Sequence, residues 1–124
     1  MPTPMTSTSF FNSLSVAATE PDGAADLLLY VPLSFDAEVT LLIITNGDSA
    51  QHDVSIQVFH QDDQVYSHLI RDKKVEGNST YSPIKGDILH LHPGDKILCY
   101  KKSGLVDVSV SGLNHFNPMR KQLQ

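Results

Sequence analysis

Two histidines set two residues apart are the side chains of this 124-residue chain best spaced to do chemistry. His90 and His92 sit in the stretch Leu89-His90-Leu91-His92-Pro93-Gly94-Asp95. Alternate side chains of a β-strand share a face, so both imidazoles project one way and Leu89 and Leu91 the other. Ring nitrogens from positions i and i+2 can converge on one metal ion, as a cupin-type oxygenase or isomerase would require. Such a site needs more ligands. Asp95 falls in the turn itself, and His115 lies beyond the last expected strand. The competing reading is a sheet corner. Pro93 presets φ at about −65° and Gly94 takes the positive φ of a type II turn. Both histidines then occupy a solvent or interface face. The corner is the expectation, with no catalytic residue, metal or cofactor, and with His90 and His92 as the ligands if a metal did bind.

Other nucleophiles have weaker settings. Cys99 lies between Leu98 and Tyr100 in an apolar strand, where a buried and inert thiol is expected. No Gly-x-Ser-x-Gly elbow and no phosphate-binding glycine loop occurs. Asp62-Asp63 is a solvated turn with no further oxygen ligands for calcium in view.

Composition narrows the partners. Apolar residues make up 40% and charged residues 19%, the balance of a folded domain rather than a disordered chain. The net charge is −5, and the cations come in short pairs such as Lys73-Lys74 and Lys101-Lys102, so no nucleic-acid partner is expected. No apolar run reaches the roughly 18 residues of a membrane-spanning helix, and no membrane partner is expected either. Residues 1–9 carry no basic stretch followed by an apolar one, so no secretory leader is expected. The single cysteine excludes an intrachain disulfide and points to folding in a reducing cytoplasm. Asn78-Ser79-Thr80 matches a glycosylation acceptor and is read as a polar turn.

The elements that must position these residues read as strands. Helical periodicity is absent, and short apolar runs recur every 8–12 residues or so between turn residues. Strands are expected over 11–18, 26–31, 37–45, 54–59, 65–70, 80–84, 97–100 and 106–111, with Gly112 stopping the last. The Val/Leu/Ile run at 37–45 suggests a central strand covered on both faces. Val54, Ile56 and Val58 alternate with Ser55 and Gln57, suggesting a strand with one wet face. The charged stretch 71–78 reads as a loop. The fold class is all-β: a single antiparallel β-sandwich, jelly-roll or Ig-like, of about seven or eight strands. The domain spans residues 10–113, between an N-terminal arm (1–9) and a C-terminal arm (114–124). Neither arm can fold alone, so a partner subunit is expected to hold them.

Leu42-Ile43-Ile44-Thr45-Asn46, then Leu91-His92-Pro93-Gly94-Asp95, then Val108-Ser109-Val110-Ser111-Gly112 follow one another in an order that resembles small β-sandwich virion proteins of tailed bacteriophages. In these an I-T-N strand end, an L-x-P-G-D corner and a final V-x-V-S-G strand recur. The resemblance covers about residues 27–113. It implies a non-enzymatic structural protein, folded in the host cytoplasm and built into the virion, where it associates with itself and docks onto capsid, neck or tail subunits. Capsid decoration comes first among these roles and a neck or tail part second. It brings no catalytic residues with it. Phe10, Phe11, Phe116 and Met119, in or beside the arms, are the residues expected to insert into partner surfaces. Two other classes stay open: a metal-dependent cupin-type enzyme using His90 and His92, and a carbohydrate- or receptor-binding fibre module. The lack of Trp argues against the last.

Overall fold

The computed structural model describes residues 7–116 and, within them, every side chain but those at positions 85 and 86. Eight strands follow in order: β1 (Ser7–Ser15), β2 (Asp26–Tyr30), β3 (Phe35–Asn46), β4 (His52–His60), β5 (Val65–Val75), β6 (Ser79–Leu91), β7 (Lys96–Lys101) and β8 (Val106–Phe116). They form two four-stranded sheets. Sheet I has the order β1-β8-β3-β6 and sheet II the order β2-β7-β4-β5, with every pairing antiparallel. β4 and β5 form a hairpin, and β3 with β6, β2 with β7 and β1 with β8 extend it outward pair by pair. Folding that long ribbon over brings β8 beside β3 and β7 beside β4. This is the eight-stranded jelly roll.

Between the sheets lies an aliphatic core. Leu42, Ile44, Ile56 and Ile97 are fully buried there, with Val39, Val54, Val108 and Val110 packed around them. Each such side chain contributes about 1.5–3 kcal/mol relative to exposure. Buried residues recur at every second position on β8 as far as Gly112 and on either side of the bulge in β3, where Val39 and Leu42 are three apart, and the intervening ones face out.

Three of the motifs that carried the resemblance prove to be architectural. Asn46 is 1% exposed at the end of β3; its Nδ2 donates to the carbonyls of Ala50 (2.8 Å) and Val75 (3.0 Å), and its Oδ1 accepts the Asp48 N–H. The corner is a type II turn as expected: the Asp95 N–H donates to the His92 carbonyl, and Gly94 has φ +84°. Asp95 itself is 3% exposed, and its carboxylate accepts the backbone N–H groups of His92 and Gln61, both at 2.8 Å. Gly112 lies opposite a bulge in β3, where a Cβ would stand 1.9 Å from the Glu38 carbonyl oxygen.

Several expectations are corrected. β1 begins at Ser7 and β8 continues through Gly112 to Phe116, so residues 7–9 and 114–116 belong to strands rather than arms. Arg71–Val75 is the second half of β5, not a loop: it pairs with His52–Val54 at the edge of sheet II, where its four charged residues stay exposed and Val75 is buried. The doubly covered strand is β4, not β3. Val54 to Phe59 are all buried, since the β1–β2 connection folds across the outer face of sheet II. There the Asp22 N–H donates to Gln57 Oε1 (2.7 Å), and Gln57 Nε2 donates to Asp22 Oδ1 (2.8 Å). That reciprocal pair satisfies an amide with 1% exposure that the alternation pattern had placed in water. Outer-face residues of β3, among them Glu38 and Ile43, are only half-buried.

Candidate functional site

His90 is the penultimate residue of β6, which ends at Leu91, and His92 follows it. Both project from the outer face of sheet I, as the period-2 argument requires, while Leu91 between them is buried. β3 runs alongside with Glu38 opposite His90, and β8 brings His115 opposite Asp36 on its other side. The three strands enclose an open pocket of about 360 Å³ lined by Asp36, Ala37, Glu38, His90, Leu91, His92 and His115. Glu38 on β3 and His115 on β8 are residues that spacing along the chain alone could not bring to His90. The register of β3 between β6 and β8 does so.

Each histidine faces a carboxylate. His90 Nδ1 is 3.9 Å from Glu38 Oε2, and His92 Nδ1 is 3.9 Å from Asp36 Oδ1. His115 Nε2 is 3.1 Å from Glu38 Oε1, within ion-pair reach but off the line of a hydrogen bond. Its Nδ1 meets Ser7 Oγ at 2.7 Å. The cluster sets two carboxylates among three imidazoles. Among the described residues no group of three or more His, Cys, Asp or Glu side chains is arranged to hold a metal ion. His90 and His92 each turn toward a different carboxylate instead of toward a common point.

A second polar cluster lies on the outer face of sheet II. His68 Nε2 meets the Tyr100 hydroxyl at 2.8 Å, and Arg71 Nη2 lies 3.1 Å from His68 Nδ1. Desolvation and the neighbouring guanidinium hold the His68 imidazole below its ordinary range. Nearby cations are spoken for: Lys74 and Lys102 pair with Asp53 at 3.3 and 3.6 Å. Cys99 is fully buried, and burial together with Asp26 pushes its thiol up to about 12, so the thiolate is scarce at neutral pH.

The residues expected to meet a partner divide. Phe10 points inward and packs against the core, since its register partner Gly112 faces the interior. Phe11 points outward and is 69% exposed. Phe116 is 42% exposed and leans on Phe35, ring centroids 5.5 Å apart. Met119 lies outside the described residues. Leu113 is an exposed diagonal neighbour of Phe11 on the same face, a position that no arm-based reading singled out. No protein-family model matches the chain, and a search of curated proteins returns no match.

Proposed function

We propose that the protein is a non-enzymatic structural subunit of a bacteriophage virion, associating with itself and docking onto other virion proteins, with capsid decoration its first role. The observation that carries the reading is Phe11, a large aromatic standing 69% exposed on the terminal strand of sheet I. Leu113 beside it enlarges the apolar surface, and exposed aromatics of this kind are characteristic anchors of protein interfaces. The jelly roll agrees with this by analogy, since viral capsid domains use the fold, as do lectins and cupins. The sequence resemblance narrows the analogy to tailed phages. The interior that a ligand-holding jelly roll would use is filled here with aliphatic side chains. Sedimentation velocity from micromolar to millimolar protein tests self-association, with concentration-dependent oligomers expected. A monomer throughout that range removes the self-association. Immunolabelling of purified phage particles tests the virion, and particles free of the protein remove that part.

A further inference from the structure

Four sheet edges close the jelly roll, and three are blunted against further pairing. β2 is five residues long and begins with Asp26. β5 carries Arg71, Asp72, Lys73 and Lys74. β6 contains Pro83, which cannot donate, and its register against β3 shifts twice. β1 has none of these devices. Its nine residues, Ser7-Thr8-Ser9-Phe10-Phe11-Asn12-Ser13-Leu14-Ser15, hold no charge and no proline, and they pair with β8 without a register shift. Among the described residues nothing pairs with its other side.

The strand is also nearly symmetric about its centre. Its outward positions read Ser7, Ser9, Phe11, Ser13, Ser15, the same in either direction. We infer that β1 pairs antiparallel with β1 of a second copy about a two-fold axis at Phe11, joining two four-stranded sheets into one of eight strands. The inference rests on the self-association proposed above and supplies its surface. Only this register pairs all nine residues, giving about eight to ten interchain backbone bonds. Phe11 then stands opposite the partner's Phe11, an aromatic cross-strand pair, and Ser9 opposite the partner's Ser13.

The ends of the pairing are complementary as well. Ser7 Oγ holds His115 Nδ1 at 2.7 Å, and Ser15 Oγ donates to Asp107 Oδ1 at 2.7 Å. Across the axis Ser7 meets the partner's Ser15. With His115 donating from Nδ1, a run of like-directed hydrogen bonds passes from His115 through Ser7 and the partner's Ser15 to the partner's Asp107. The two-fold repeats it at the other end.

Cysteine pairing reads the register directly. A mixture of Ser9→Cys and Ser13→Cys proteins is expected to give a disulfide-linked heterodimer on mild oxidation, whereas neither variant alone links to itself. In the proposed register each new cysteine is about 13 Å from its own copy across the axis. Phe11→Lys, which sets like charges opposite each other, is expected to raise the dimer dissociation constant about tenfold or more, with unchanged far-UV circular dichroism. If the unmodified protein dimerises but the mixture stays unlinked, or either variant links to itself, this pairing is overturned and self-association stands. If the protein is monomeric at every concentration, both fall.

Discussion

Removing the Asp95 carboxylate is the sharpest test of how the corner is held. Its two oxygens accept backbone N–H groups from the turn it ends (His92) and from the β4–β5 loop (Gln61), each at 2.8 Å and in a setting 3% exposed. The backbone of the corner adds two bonds to the chain beyond β2: the Val31 N–H donates to the Asp95 carbonyl, and the Gly94 N–H donates to the Val31 carbonyl. Asp95→Ala leaves those backbone bonds but strands two amides. Hydrogen bonds to a charged acceptor are worth about 1.5–3 kcal/mol each, so losing two costs about 3–6 kcal/mol. Asp95→Asn keeps the shape and one acceptor oxygen while turning an amide donor toward the other N–H, and is expected to cost about 2 kcal/mol. Urea unfolding followed by far-UV circular dichroism suits a chain without Trp. At a slope of about 1.5 kcal/mol per molar, Asp95→Ala should lower the midpoint by about 2 M or more. If both variants stay within about 0.5 kcal/mol of the parent, the carboxylate is not what ties the loops together.

Further outcomes follow from other sites. Gly112→Ala forces a Cβ to 1.9 Å from the Glu38 carbonyl oxygen and 2.9 Å from Phe10 Cζ, so sheet I must shift; a loss of about 3 kcal/mol or insoluble expression is expected, against thermal melts of the parent. Cys99 should resist a thiol reagent at pH 8 in the native protein and react fully in urea, since it is buried with its thiol raised to about 12. His68 takes its proton at lower pH when folded than when unfolded. Between those two points the unfolded chain binds more protons, so stability falls as pH drops below about 6.5. His68→Gln should flatten that part of a melting-temperature profile measured from pH 7.5 to 5.

How much of this was legible depended on whether the cause was local. The turn at Pro93-Gly94, the single-faced display of His90 and His92, and the burial of Cys99 all follow from dihedral preference and alternation. The coverage of β4 did not, because Asp22 comes from a connection more than thirty residues away in sequence and lies over Gln57 only once the ribbon has rolled. His115 was discounted for lying past a supposed strand end at Gly112. That glycine does not stop β8; it lets β8 pass the bulge in β3. Phe10 and Phe11 looked alike as a pair, but one position of phase sends the first to the core and the second to water. The charged half of β5 read as a loop because charge suits an outer edge as well as a turn.

The place of β8 in sheet I sets an order of events during synthesis. Of the described strands β1 leaves the ribosome first, yet its hydrogen-bonding neighbour is the last of them to be made, with Ser7 matched to His115. Until Val106–Phe116 emerges, sheet I holds only the β3–β6 pair, and the nascent chain carries Phe10 and Phe11 on a strand with nothing to pair with. Closing a contact over so long a separation is slow compared with forming the β4–β5 hairpin. Chaperone demand should therefore be greatest in the interval before β8 is released, and chains truncated ahead of Val106 should be the form that aggregates.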